Sequence, residues 1–238
     1  MANKKLPKSD GEIFDNIDNL SSDIEALAET TQKQLEKKIL AGYQKKGRRV
    51  LLSELTLYLD NQSRKLRTLT ERAFSTIIKQ TKSNISSKYD IELTNTELKT
   101  LAENQGYVLD NITANDLKLQ ADLKSMLLQN IGKEITTVQV VRSLTKLYPA
   151  YASQIGTIVN TSLVRMYKDA DWTVESEIFE YFQYVGPNDG VTRPYCKSHV
   201  GKVYTRAEAE AIQAEIQTFY NCRHKLVGIT KQQYDKLS

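Results

Sequence analysis

Residues 184–208, Tyr184-Val-Gly-Pro-Asn-Asp-Gly-Val-Thr-Arg-Pro-Tyr-Cys-Lys-Ser-His-Val-Gly-Lys-Val-Tyr-Thr-Arg-Ala-Glu208, and residues 220–224, Tyr220-Asn-Cys-Arg-His224, decide how this chain is read. Both cysteines, both histidines and two of the four prolines of the 238-residue chain fall inside these blocks. Gly186, Pro187, Asn188, Gly190 and Pro194 are turn formers, each for its own backbone reason, and together they exclude a continuous helix. The segment reads as a loop-rich module with small strands. It holds too few apolar residues to rest on a large core of its own.

Around this segment the pattern is mixed. Val174, Ile178, Phe179, Tyr181, Phe182, Tyr184 and Val185 form a stretch whose aromatic second half favours a strand. Residues 200–204 read as a second strand and 226–229 as a last one. Between them Thr205-x-x-Glu208 is a capping box that opens a helix running to about Phe219. The tail is thus a small α+β unit.

Everything upstream reads as helix. Ile13, Ile17, Leu20, Ile24 and Leu27 step by four, three, four and three, which draws one apolar stripe on a helix. Gly42 and Gly47, with Lys45 and Lys46 between them, mark a break. A second long helix carries Leu51, Leu55, Leu59, Leu66, Leu69, Ile77 and Ile78. Thr94-x-x-Glu97 opens a short helix that Gly106 is expected to end. A further helix runs from Thr113 to about Ile131, where Gly132 stops it, and another from Thr136 to Tyr148. Pro149 is expected to start the next, because its missing N–H is an orphan at that position anyway. That last helix reaches about Lys168, with Tyr151, Ile155, Ile158 and Met166 on one side, and Trp172 beyond it serves as a core or hinge aromatic. The fold class expected is mainly α: an elongated helical body over 11–170 and a small α+β module over 171–230. A flexible basic lead (1–10) precedes them and a short tail (231–238) follows.

Composition bounds the partners. Ten glycines and four prolines against 40% apolar and 26% charged residues suit a helical soluble chain. No run of about 18 apolar residues exists, so no membrane span is expected, and residues 1–8 lack the apolar stretch of a secretory signal. Two cysteines in the whole chain argue for a reducing compartment and against a disulfide scaffold. The net charge of +4 hides a segregation. Residues 10–31 hold seven acids and no Lys or Arg, whereas 33–88 hold fourteen Lys and Arg against four acids. Two solvated helix faces that attract each other explain this. A basic surface for phosphates, centred on Lys45, Lys46, Arg48, Arg49, Arg64, Lys65 and Arg67, explains it as well. Aromatic interleaving there is thin, so such binding would be non-specific.

Gly186 and Asp189, then Thr192-Arg193-Pro194-Tyr195-Cys196, then Gly201-Lys202-Val203-Tyr204 before an acidic helix start, then Asn221-Cys222-Arg223-His224, occur in an order that resembles the C-terminal domain of the phage Mu protein F-like head morphogenesis family. Residues 158–165 resemble that family's leading helix, and the likeness covers roughly 145–230. Where many members carry a His-Pro pair before the Asn-Cys-Arg block, this chain has Phe219-Tyr220. The resemblance implies a non-enzymatic minor head protein of a tailed bacteriophage, assembled in the host cytoplasm and resident in the virion. It implies the portal and the capsid or scaffolding proteins as partners, with packaged DNA in reach of non-specific phosphate contacts.

Chemistry, if present, concentrates in the tail. Cys196-x-x-His199 and Cys222-x-His224 supply four soft or borderline donors, the number a structural zinc ion takes. The cysteines read equally as small buried hydrophobes, with the histidines bonded to turns. A disulfide between them is a further reading, and a cysteine nucleophile with a histidine base and Asp189 as its orienter is the enzymatic alternative. No phosphate loop, Walker sequence, HExxH or deaminase pattern is present. Arg193 and Arg223 read as partners of Asp189 or Glu208, and Pro194 should hold Arg193 extended.

Overall fold

A computed structural model describes residues 8–42, 48–129 and 137–238. Four long helices come first: α1 (Lys8–Gly42), α2 (Arg48–Tyr89), α3 (Asn95–Gln129) and α4 (Thr137–Ile178). The small module follows as β1 (Tyr181–Val185), α5 (Pro194–His199), β2 (Val203–Thr205), α6 (Arg206–Ile216), β3 (Lys225–Ile229) and α7 (Lys231–Leu237). The expected class, a helical body with a small C-terminal α+β module, is what the chain adopts. Most of the basic lead, residues 1–7, lies outside the described residues, as do Gly47, Gly132 and the pair Lys45 and Lys46.

Several boundaries differ from the reading of the sequence. On α1 the buried stripe is Ile13, Ile17, Ser21, Ile24, Ala28, Thr31 and Leu35, so Leu20 and Leu27 sit beside the seam and small residues fill it. Gly106 does not end a helix, because α3 passes straight through it. It is exposed there with open space around it, and an exposed helical glycine costs only about 1 kcal/mol. Likewise α4 passes through Pro149. A helix-interior proline costs about 3 kcal/mol, and burial of Tyr151, Ala152, Ile155, Val159 and Leu163 just beyond it supplies the opposing term. Two short helices, α5 and α7, were not expected.

The chain forms two compact units. One contains residues 19–73 and 105–159. Its core holds Leu35, Leu55, Leu59, Leu66, Ile112 and Ile155 around a buried carboxylate, Asp116, which accepts from the hydroxyls of Ser63 and Tyr151. Burial raises the Asp116 carboxyl above its ordinary range. An open groove of about 640 Å³ runs past Leu57, Leu117 and Lys124.

The other unit gathers the start of α1, residues 74–104, the second half of α4 and the whole small module. Its helices bury Ile13, Phe14, Phe74, Ile77, Ile85, Leu163 and Tyr167. At its centre is a buried ionic network. Lys225 of β3 donates to Asp10 at 2.9 Å and to Asp171, and Lys88 stands 3.4 Å from Asp10 and 3.5 Å from Glu175. Glu175 also accepts the Gly228 amide at 2.8 Å and the Tyr89 hydroxyl. The backbone of β3 is thereby fastened to α4.

The sheet is antiparallel in the order β2-β1-β3. Tyr181 faces Thr205 on one side and Ile229 on the other, and Tyr184 faces Leu226. Alternation puts Phe182 and Tyr184 on the buried face, where they meet Ala209, Ile212 and Ile216 of α6 together with Cys196, Cys222 and Leu226. Trp172 packs on Phe182 with ring centres 4.8 Å apart. The expected capping box is formed, the Glu208 carboxylate accepting the Thr205 amide at 2.9 Å. Among the described residues no helix is long and apolar enough to cross a membrane.

Candidate functional site

The turn after β1 builds the site. Gly186 has φ +152, and a Cβ there would lie 2.4 Å from Cδ2 of His224, so the imidazole occupies the space a side chain would take. Asp189 then closes a polar turn. Its carboxylate accepts the Val191 amide at 3.1 Å and the Thr192 hydroxyl at 2.8 Å. Arg223 reaches the same carboxylate at 2.8 Å. The Thr192 hydroxyl and then the Arg223 guanidinium hold the exposed Asp189 carboxyl down at about 2. Arg193, expected to pair with a carboxylate, instead donates to the Tyr220 carbonyl at 2.7 Å and lies over the Phe219 ring. Its backbone is extended, as a residue before proline should be. Glu208 serves the helix cap alone.

Gly201 has φ +87 and donates its amide to Tyr184 at 2.9 Å, while the Lys202 carbonyl accepts the Tyr184 amide at 3.0 Å. Both therefore work through their backbones, extending the pairing beside β1. Asn221 adopts a left-handed φ of 49, a conformation Asn tolerates better than most residues. Its amide donates to the Thr161 hydroxyl at 3.1 Å. This turn delivers Cys222 and His224 to the interior.

Three of the four expected donors converge. The ligating atoms of Cys196, Cys222 and His224 all lie within 4.8 Å of one another, and all three residues are buried. His199 does not join them. It sits on α5 three residues beyond Cys196, with Nδ1 at 2.7 Å from the Tyr204 hydroxyl and its ring against Tyr195. Burial, then Lys202, lowers its pKa. Cys196 and His199 do not serve one ion, because the segment between them is helical and the two side chains leave that helix toward different neighbours.

His224 Nε2 lies 2.7 Å from the Pro187 carbonyl, and the ring stacks on Tyr184. A carbonyl accepts only, so Nε2 carries a proton and Nδ1 is the ring nitrogen left for other partners. Lys168 of α4, fully buried, donates to the Cys222 carbonyl at 2.6 Å. Burial lowers the Lys168 ammonium, against the pull of Cys222 and Cys196. Burial acts to raise the Cys222 thiol, but the hydrogen bond from His224 and the Lys168 charge outweigh it and bring it to about 6. The Cys196 thiol is pushed up by burial. The Tyr184 hydroxyl is buried without a hydrogen-bond partner, beside the Cys196 thiol. No disulfide is formed, both cysteines being free.

Lys168 and Tyr184 were not read as site residues from the sequence. Lys168 lies four residues after Val164 and three before Asp171, on the stripe that faces inward, but a lysine normally marks the outward face. Of the basic residues expected at phosphates, Lys45 and Lys46 lie outside the described residues, and Arg48 and Arg49 stand in the first turn of α2. Arg64 and Lys65 are exposed, and half-buried Arg67 donates to the Thr113 hydroxyl at 3.2 Å. Comparison with protein-family models, curated proteins and solved structures finds no match for this chain.

Proposed function

We propose that the chain is a non-enzymatic minor head protein of a tailed bacteriophage, seated at the portal or the inner capsid wall and acting in head morphogenesis or in DNA packaging and ejection. One observation carries this reading. The separated blocks behind the resemblance meet in a single folded turn system: Gly186 under His224, Asp189 between Thr192 and Arg223, Arg193 on Tyr220, and Asn221 at the bend. Their convergence in one turn system supports the reading. The long helices add support. Leu57 and Leu117, each 61% exposed, flank an open groove better suited to a protein partner than to an enclosed small molecule.

The enzymatic alternative, a toxin-like effector, would draw on Cys222 with His224, and the thiol's low pKa of about 6 is what favours it. Against it, Cys196 and Cys222 are 1% and 2% exposed, which closes both sulfurs to a substrate. Co-expression of the full chain with the portal and scaffolding proteins encoded beside it tests the first reading. A complex that survives gel filtration is expected. A chain that stays monomeric in the presence of both would reject the proposed seat.

A further inference from the structure

We propose that the Cys196 thiolate, the Cys222 thiolate and Nδ1 of His224 bind a zinc ion that staples α5 to the segment leading into β3. This inference is independent of the role in phage heads. It rests on where three donors meet and on what their neighbours are set to do.

The donors fit first by chemistry. Two thiolates and one imidazole are soft to borderline ligands, the set that selects zinc over the oxygen-seeking cations. They fit next by distance. Zinc–sulfur bonds of about 2.3 Å and zinc–nitrogen bonds of about 2.0 Å in a tetrahedron require donor separations of about 3.5–3.8 Å. The three atoms already lie within 4.8 Å of one another. A closure of at most about 1.3 Å completes the set, leaving the fourth tetrahedral position to a solvent molecule.

The neighbours supply the outer shell that such a site needs. A ligating histidine ordinarily donates its other ring N–H to a carbonyl or carboxylate, which fixes tautomer and orientation. The Pro187 carbonyl takes Nε2–H of His224 at 2.7 Å, and Gly186 and Tyr184 clamp the ring between them. Tyr184 supplies the second sign. Its hydroxyl is completely buried without a partner and lies next to Cys196. A neutral thiol is a poor acceptor, whereas a zinc-bound thiolate is a good one, so ligation satisfies the orphan. Lys168 donates to the Cys222 carbonyl at 2.6 Å and so holds in place the backbone that carries this ligand. His199 has no part, being committed to Tyr204.

The competing arrangement is metal-free, with a Cys222 thiolate paired to Lys168. That arrangement engages Cys222 and His224 but not Cys196, and it leaves the Tyr184 hydroxyl unmatched. The ion draws in both sulfurs and the ring.

The test takes the full-length chain, stripped with chelator, reconstituted with zinc and desalted by gel filtration. Elemental analysis by plasma mass spectrometry should find stoichiometric zinc. Reconstitution with cobalt(II) should give thiolate-to-cobalt charge-transfer absorption and the intense visible bands of a tetrahedral site. Cys196→Ser, Cys222→Ser and His224→Ala should each lose the metal, while His199→Ala keeps it. Tyr184→Phe should weaken binding by about tenfold, as loss of an outer-shell partner does. If the cysteine variants do not fold, the cobalt spectrum of the unaltered chain decides by itself. Trace zinc only, a cobalt spectrum without charge transfer, or equal loss of metal in folded His199→Ala would overturn the proposal. A thiolate absorption in the metal-free chain without metal uptake would overturn it in favour of the Lys168 pair.

Discussion

His224 can lie where it does because residue 186 has no side chain. A methyl group on Gly186 would meet the imidazole at 2.4 Å, and φ +152 strains any L-residue there. Gly186→Ala should therefore destabilise the chain by about 1–3 kcal/mol, measured by urea unfolding. A change indistinguishable from zero would mean that the ring is not packed on this glycine. At Asn221 the left-handed backbone is the constraint. Asn221→Ala should cost about 1–2 kcal/mol, and Asn221→Gly, which relieves the backbone, distinctly less. Gly186 was legible as a turn former, whereas Asn221 stood out only as part of the Asn-Cys-Arg-His block. What the sequence could not convey is the contact partner, since Gly186 depends on a ring that arrives from the far side of α6. The donor set shows the same division. Residue types announced it, but local backbone decided membership, and the helical turn of α5 sent His199 to Tyr204.

At the scale of elements, the ionic network determines how β3 is held. Lys225 is 2% exposed and bonds Asp10 and Asp171. Removing one partner of a buried pair strands the other charge, so Lys225→Met should cost about 3–5 kcal/mol in denaturant unfolding. The same network sets an acid limit. Burial acts to raise the Asp10 carboxyl, but Lys225 and Lys88 hold it at about 2 against an ordinary 3.8. A carboxyl with a depressed folded-state pKa stabilises fully above its ordinary value and loses that contribution as pH falls toward the depressed one. Stability should thus decline between about pH 4 and pH 2, by about 2 kcal/mol from this group. Asp10→Asn should flatten that decline, and an unchanged acid profile would show that Asp10 is not so coupled. Helices and strands themselves were largely readable, from apolar periodicity, the Thr205–Glu208 box and the aromatic run into β1. Gly106 and Pro149 misled because their local cost is small beside the burial of the long helices they interrupt. The network was hidden for another reason: Asp10 and Lys225 are 215 residues apart, and each reads in isolation as a solvated charge.

For the whole molecule, the charge segregation and the virion reading make separate claims. Any affinity for DNA should be electrostatic, falling steeply with salt and indifferent to sequence. Changing Lys45, Lys46, Arg48 and Arg49 together to Glu should abolish it in a fluorescence anisotropy titration. Lys88 contributes nothing to that surface, since it faces Asp10, Asp171 and Glu175. Salt-insensitive binding, or binding untouched by the four changes, would reject the basic surface. The virion reading meets its most direct test in quantitative mass spectrometry of purified particles from the phage or prophage that encodes the chain. A minor head protein is expected in every full particle at a fixed low copy number relative to the major capsid protein. Absence from both mature heads and immature precursors, with the chain soluble in the lysate, would contradict it.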